Sequence, residues 1–131
     1  MNAPGSVLLD TNVVVAYFRG EQALHSRFAG AVPLHLPWVV LGELYYGAQR
    51  AKRRQEQLAH ILDLLTYAVV LFPDHDTTSV YGQVKAELAQ TGKPIPDNDL
   101  WIAAMARQHA LPLATRDAHF AQVPGVETLS W

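Results

Sequence analysis

The chain contains no cysteine, which excludes a disulfide framework, thiolate zinc sites and iron-sulfur clusters. Any metal must therefore sit on oxygen or imidazole, and the composition suits a reducing cytoplasm. A long hydrophobic run is missing too. The most apolar stretch, residues 61–72, is interrupted by Asp63 and closed by Pro73, well short of the roughly 20 residues that a bilayer span requires. Met1-Asn2-Ala3-Pro4-Gly5 carries no basic flank and leads into no cleavable apolar segment, so neither export nor a membrane is expected. Nor is there an excess of basic charge. The formal charge is −2, so a polyanion would be held by a local patch or through a metal rather than by the field of the whole protein. Internal repeats and low-complexity tracts are absent.

What the chain does have is apolar content. Half of its 131 residues are hydrophobic, enough for one ordinary core and too few for two, so residues 1–131 are expected to form one domain. Short strands are expected at 6–9, 34–36, 67–71, 112–115 and 126–129. Helices are expected from near Val13 to Gly20, over 21–30, 38–51 and 53–66, between Asp76 and Gly92, and over 99–110. Within 38–51, Leu41, Leu44, Tyr45 and Ala48 share the spacing of one buried face, and Glu43 lies off it. Gly42 and Gly47 each cost a helix about 1 kcal/mol against alanine, which suggests that something packs close to this turn. Strands separated by helices favour a parallel sheet covered on both faces, because parallel strands need crossover connections. The expected fold class is α/β, with a central parallel sheet of four to five short strands.

In such sheets ligands bind outside the carboxyl ends of the strands. Asp10 and Asp117 follow expected strands and would stand on that rim. Asp99, at a helix start, would reach it from the same side, and Glu43 would project inward from its helix. Each residue also has an ordinary reading. Asp10 or Asn12 can cap a helix, a lone glutamate is mostly exposed, Asp97 or Asn98 can cap the helix they introduce, and Asp117 can be a plain loop residue. Taken together the four mean more. Carboxylates packed within a few ångströms raise one another's pKa, and a divalent cation is the natural compensation. Oxygen ligands favour Mg²⁺ or Mn²⁺, which serve phosphodiester hydrolysis.

The segments Leu8-Leu9-Asp10-Thr11-Asn12, Gly42-Glu43-Leu44-Tyr45-Tyr46-Gly47, Asn98-Asp99-Leu100-Trp101-Ile102-Ala103-Ala104 and Thr115-Arg116-Asp117-Ala118-His119-Phe120 occur in an order and spacing that resemble PIN-domain proteins, particularly the VapC-type toxin ribonucleases. The resemblance covers nearly the whole chain. It implies a three-layer α/β/α sandwich, Mg²⁺ or Mn²⁺ dependence, endonucleolytic cleavage of RNA, neutralisation by a cognate antitoxin that inserts a segment near the acidic site, and a homodimer. Carried over, Asp10, Glu43, Asp99 and Asp117 occupy the acidic metal positions. Asp10, Asp99 and Asp117 would hold the first ion, and Glu43 would bind through water or deprotonate the attacking water. Thr11 and Thr115 would orient Asp10 or its waters. The chain departs from a frequent pattern at His119, where relatives often place an acid before the phenylalanine. That leaves fewer acids for a second ion, with Asp97 ranked below Asp99 as a substitute. His119 could bind phosphate, ligate a metal, or be a partly exposed loop histidine.

RNA contacts are expected from Arg50, Arg116 and His119. Arg50 heads the one dense basic cluster, with Lys52, Arg53 and Arg54, although such a cluster also suits a solvated helix end. Tyr45, Tyr46 and Trp101 are assigned to the core rather than to base stacking. Tyr81, Val84 and Leu88 could serve a two-fold interface or the core. A haloacid-dehalogenase-type phosphatase would need an acid where Asn12 stands, and a receiver domain a well-placed late lysine. A catalytically weak or inactive module of the same fold, binding RNA or a protein, is the remaining alternative.

Overall fold

Val7–Leu9 (β1) has no polar side chain, as a strand buried on both faces requires, and it forms the middle of the sheet. The structure is a computed structural model that describes residues 2–30 and 32–131. After β1 the chain runs through α1 (Thr11–Phe18), α2 (Gln22–Ala29), β2 (Leu34–Pro37), α3 (Trp38–Arg50), α4 (Arg54–Leu64), β3 (Ala68–Leu71), α5 (His75–Gln90), α6 (Asp97–His109), β4 (Leu113–Ala114), a 3-10 turn (Ala118–Gln122) and β5 (Thr128–Leu129). The five strands are all parallel, in the order β3-β2-β1-β4-β5. Leu8 lies opposite His35 on one side and Leu113 on the other.

The chain moves outward from β1 to β2 and β3, then returns across the sheet to β4 and β5. With right-handed crossovers, α1 to α4 cover one face and α5 with α6 the other, which gives the expected α/β/α sandwich. Leu8, Leu9, Leu36 and Leu113 from the sheet, Val13 and Val14 from α1, and Ile102 and Met105 from α6 are shut off from solvent. Burying such a side chain contributes about 1.5–3 kcal/mol each. No helix among the described residues is long and apolar enough to cross a membrane.

Several local expectations are corrected. Asp10, not Asn12, caps α1, which therefore begins at Thr11 rather than near Val13. Asp74 caps α5 through a reciprocal pair with Thr77, and Asp76 sits inside the first turn. Helix α6 starts at Asp97 with Pro96 in the capping position, so neither Asp97 nor Asn98 caps it. Proline's fixed φ pre-sets that turn without a side-chain acceptor. The close packing inferred at Gly42 and Gly47 is absent, since a Cβ on either would meet nothing within 4 Å. Val84 and Leu88 are buried in the core, whereas Tyr81 is half-buried and stacks on Trp101 with ring centroids 3.9 Å apart. Tyr46 is exposed instead of buried. The 3-10 turn has no counterpart among the expected elements.

Candidate metal centre

Where the strand order reverses, between β1 and β4, the carboxyl ends of the strands open a crevice. Asp10 enters it directly from β1. Its backbone N–H still belongs to the ladder, donating to the Ala114 carbonyl at 3.0 Å, while its side chain stands on the rim. Oδ1 accepts from the Thr11 amide at 2.8 Å and Oδ2 from the Thr115 hydroxyl at 2.7 Å. The Thr115 oxygen in turn accepts from the Asp117 amide at 3.0 Å, so one hydroxyl ties Asp10 to the loop that carries Asp117. Asp10 is only 5% exposed.

Glu43 approaches from α3, where its Oε1 accepts from the Thr11 hydroxyl at 3.1 Å. Thr115 therefore orients Asp10 as expected in geometry, whereas the Thr11 hydroxyl serves Glu43 and only its amide serves Asp10. Asp99 is the third residue of α6, half-buried at the crevice. His119 stands between Asp99 and Asp117. Its Nε2 lies 2.8 Å from Asp99 Oδ2 and its Nδ1 lies 3.1 Å from Asp117 Oδ1, with 27% of the side chain exposed. The histidine is partly exposed, as its ordinary reading had it, but it is held between two carboxylates. Its place depends on the 3-10 turn, which Phe120 pins by burying its whole ring.

Hydrogen bonds through Thr11 and Thr115 link Asp10 to Glu43 and to the loop of Asp117, and the electrostatics agree with that proximity. Burial is the main cause raising the carboxyl pKa of Asp10, Glu43 and Asp99 above the ordinary range. Mutual repulsion adds to it. Asp99 and Asp117 act on Asp10, Asp10 and Asp99 act on Glu43, and Asp117 acts on Asp99. The two hydrogen bonds to Asp10 and the imidazole beside Asp99 pull the other way without reversing the direction. Among the described residues, the His119 imidazole is the one basic side chain acting on these three acids; no lysine or arginine does. Half-dry carboxylates without a fixed cation fit a hard divalent ion, and their oxygen donors suit Mg²⁺ or Mn²⁺. The tightest group, Asp99, Asp117 and His119, offers one atom from each residue within 4.8 Å of the others. Asp10 and Glu43 stand just outside that trio.

Other candidates go elsewhere. The Arg116 guanidinium is committed to Glu21, at 3.0 Å from Nη1, and to the Trp131 carbonyl, 2.8 Å from Nε, so it fastens the C-terminal segment rather than facing the crevice. Arg50 lies over the Tyr46 ring, 5.2 Å from its centroid, at the solvent end of α3. Arg53 pairs with Glu56 at 3.6 Å and Arg54 donates to the Gln49 carbonyl at 3.2 Å. Asp97 accepts from the Tyr81 hydroxyl at 2.9 Å and lies 3.5 Å from the Lys85 ammonium, both on Oδ1, and it is not part of the trio above. Beside Glu43, a cleft of about 300 Å³ between α1, α3 and α4 is lined by Val15, Phe18, Leu44, Ala48 and Ile61.

Comparison with known proteins gives a consistent picture. The model of the PIN domain family matches residues 7–126. Ribonuclease VapC2 of Haemophilus influenzae is 33% identical over 127 residues, covering 95% of this chain and 96% of that protein. The tRNA(fMet)-specific endonuclease VapC of Shigella flexneri is 32% identical over 127 residues, again 95% of this chain and 96% of that protein. A solved structure of VapBC-5 from Mycobacterium tuberculosis, a member of the VapBC family of toxin-antitoxin systems, superposes with a TM-score of 0.77 at 31% identity and covers 98% of this chain and 100% of that one.

Proposed function

The chain belongs to the PIN domain family, and on that premise we propose that it is the toxin of a toxin-antitoxin pair, an endoribonuclease that hydrolyses RNA phosphodiester bonds with Mg²⁺ or Mn²⁺. In this reading residues 1–131 form one PIN domain. The observation that carries it is the convergence of Asp10, Glu43, Asp99 and Asp117 at the sheet's reversal point, where three of the four have their proton affinity raised by burial and by one another.

Asp10, Asp99 and Asp117 would hold the ion, with Glu43 behind a water. A bound Mg²⁺ or Mn²⁺ would make the attacking water more acidic and neutralise charge developing on the phosphodiester. The chain's own residues supply the rest. Asp10 is locked by two donors on opposite oxygens, so it presents a fixed lone pair to the crevice. Glu43 is held by Thr11, and burial raises its proton affinity, the direction that suits a general base. Glu43 takes the proton as the water oxygen forms its bond to phosphorus. The bond from phosphorus to the 3′ oxygen breaks, and that oxygen takes a proton from solvent, leaving a 3′-hydroxyl and a 5′-phosphate.

A cognate antitoxin and a second copy of the chain are the proposed partners. The cleft beside Glu43 supports the first, since its apolar wall between Phe18 and Ile61 could take an apolar side chain of a partner segment, with Arg19 and Glu43 at its lining.

The test uses the purified chain, freed of antitoxin, on a mixed tRNA and rRNA pool in Mg²⁺, Mn²⁺ or EDTA, beside Asp10→Asn, with fragment ends mapped. Discrete metal-dependent cuts that vanish in the variant are expected. Full cutting by a folded Asp10→Asn protein would overturn the assignment. RNA bound equally in EDTA and Mg²⁺ and never cut would identify a binding module instead.

A further inference from the structure

His119 is placed as a ligand is placed, and its geometry goes beyond the all-carboxylate centre proposed above. The imidazole is held from two sides. Phe120, the next residue, is fully buried and packs against the imidazole ring with centroids 4.9 Å apart, and the Asp117 carboxylate lies 3.1 Å from Nδ1. The opposite nitrogen points to the acids. Nε2 is closed to solvent and has no aligned hydrogen bond, although Asp99 Oδ2 lies 2.8 Å away. A buried polar atom without an aligned hydrogen bond is uncommon, and its position beside the Asp99 carboxylate marks it for a cation. The sequence carboxylate, imidazole, open nitrogen is the arrangement by which proteins orient a ligating histidine and fix its tautomer, with Nδ1–H donating to the carboxylate and Nε2 presenting its lone pair.

Resting on the reading that this crevice holds a divalent ion, we propose that His119 is itself a metal ligand through Nε2, backed by Asp117, and that this mixed oxygen and nitrogen centre selects Mn²⁺ over Mg²⁺. The trio Asp99, Asp117 and His119 brings one atom from each within 4.8 Å of the others, close enough to share one ion. With Asp117 backing Nδ1, Asp99 is the carboxylate placed to share the ion with Nε2, its Oδ2 lying 2.8 Å from that nitrogen. Mg²⁺ dehydrates reluctantly and takes oxygen donors, whereas imidazole suits the first-row transition ions. Replacing a carboxylate by an imidazole at this corner also lowers the negative charge that would favour a second hard ion.

The opposing account is that His119 is a built-in counter-ion, held by Asp99 and Asp117, which a metal must displace. The two differ in sign. The decisive measurement needs no variant and no substrate. Mn²⁺ is loaded onto the wild-type chain at one fixed pH and its electron spin echo modulation is read for ¹⁴N coupling. A directly bound imidazole nitrogen is expected, and its absence with Mn²⁺ demonstrably bound overturns the proposal. Titration calorimetry then compares Mn²⁺ and Mg²⁺ in wild type, His119→Ala and His119→Asp, each checked for fold by circular dichroism. Loss of at least about tenfold in Mn²⁺ affinity is expected in His119→Ala, with a smaller change for Mg²⁺ and with Mg²⁺ favoured in His119→Asp. Tighter binding of Mn²⁺ by His119→Ala would establish the counter-ion account instead. Binding of neither ion by the wild type would overturn this proposal and the metal-dependent function together, whereas metal-dependent cutting without ¹⁴N coupling would overturn this one alone.

Discussion

Replacing Thr115 by valine keeps the branched side chain that a strand end prefers and removes one oxygen. That oxygen donates to Asp10 at 2.7 Å and accepts from the Asp117 amide at 3.0 Å, and Thr115 is buried. A hydrogen bond to a charged acceptor contributes about 1.5–3 kcal/mol. The extra methyl buried in its place returns about 0.8 kcal/mol. The net loss is about 1–2 kcal/mol near neutral pH. For a chain of this size each kcal/mol moves the melting temperature by about 3–5 °C, so a fall of about 3–10 °C is expected. The loss should depend on pH with a definite sign. Asp10 has its folded pKa above the ordinary value of 3.8, chiefly through burial, and the Thr115 bond works against that rise. Between 3.8 and the folded value, the folded chain holds a proton that the unfolded chain has released, so stability falls as pH climbs through that window. Removing the Thr115 donor lifts the folded value further and deepens the fall. Urea unfolding of both proteins across acidic to neutral pH should therefore show a small difference below 3.8, where Asp10 is protonated in both states, and the full difference at neutral pH. An equal difference at every pH would refute the role assigned to the ionised carboxylate, and no difference at neutral pH would refute the bond itself.

Two further outcomes are expected. Gly47→Ala should stabilise α3 by about 0.4–1 kcal/mol in a melt, because its Cβ meets open space on an exposed helix face, and a loss of stability would mean that the surface is crowded. Tyr46→Ala and Arg50→Ala should leave the melt unchanged and weaken RNA binding, with Arg50→Ala reducing the salt slope by about one if the guanidinium meets a phosphate. Unaltered RNA affinity in both variants would remove this end of α3 from the substrate path.

The parallel sheet was legible because each strand is a short apolar run flanked by helical periods, so the connections had to cross over. Helix starts were less legible. Asp74 and Asp76 are both good caps, and only the fit of Thr77 to Asp74 chooses between them. At α6 two good side-chain caps stood ready and neither is used, because Pro96 already sets the backbone. Tyr45 and Tyr46 illustrate a different limit. They lie about 100° apart around the helix. The apolar stripe of α3 is wide enough to claim either, and the structure leaves Tyr46 in solvent. The glycines misled for a related reason. A glycine that costs helix stability implies a cause, but open surface beside it is as good a cause as a close neighbour.

The acids were legible as a set because strand ends and helix starts are punctuated in sequence, and punctuated residues gather on one rim of a parallel sheet. His119 was not, since a 3-10 turn has no period to read and the histidine's place follows from where Phe120 buries. The more instructive case is Asp10, for which helix cap and metal ligand look like alternatives in sequence. They are not. A carboxylate has about four lone-pair sites, and here the Thr11 amide takes one on Oδ1 and the Thr115 hydroxyl one on Oδ2. About two remain, and the bonds that consume the first pair remove the rotamer freedom that would blur the aim of the second. In the proposed function, capping would fix the geometry on which ligation depends. An aspartate directly after a buried strand, with a hydroxyl residue following it and another at the end of the neighbouring strand, is therefore better read as one device with two outputs than as a choice between structure and function.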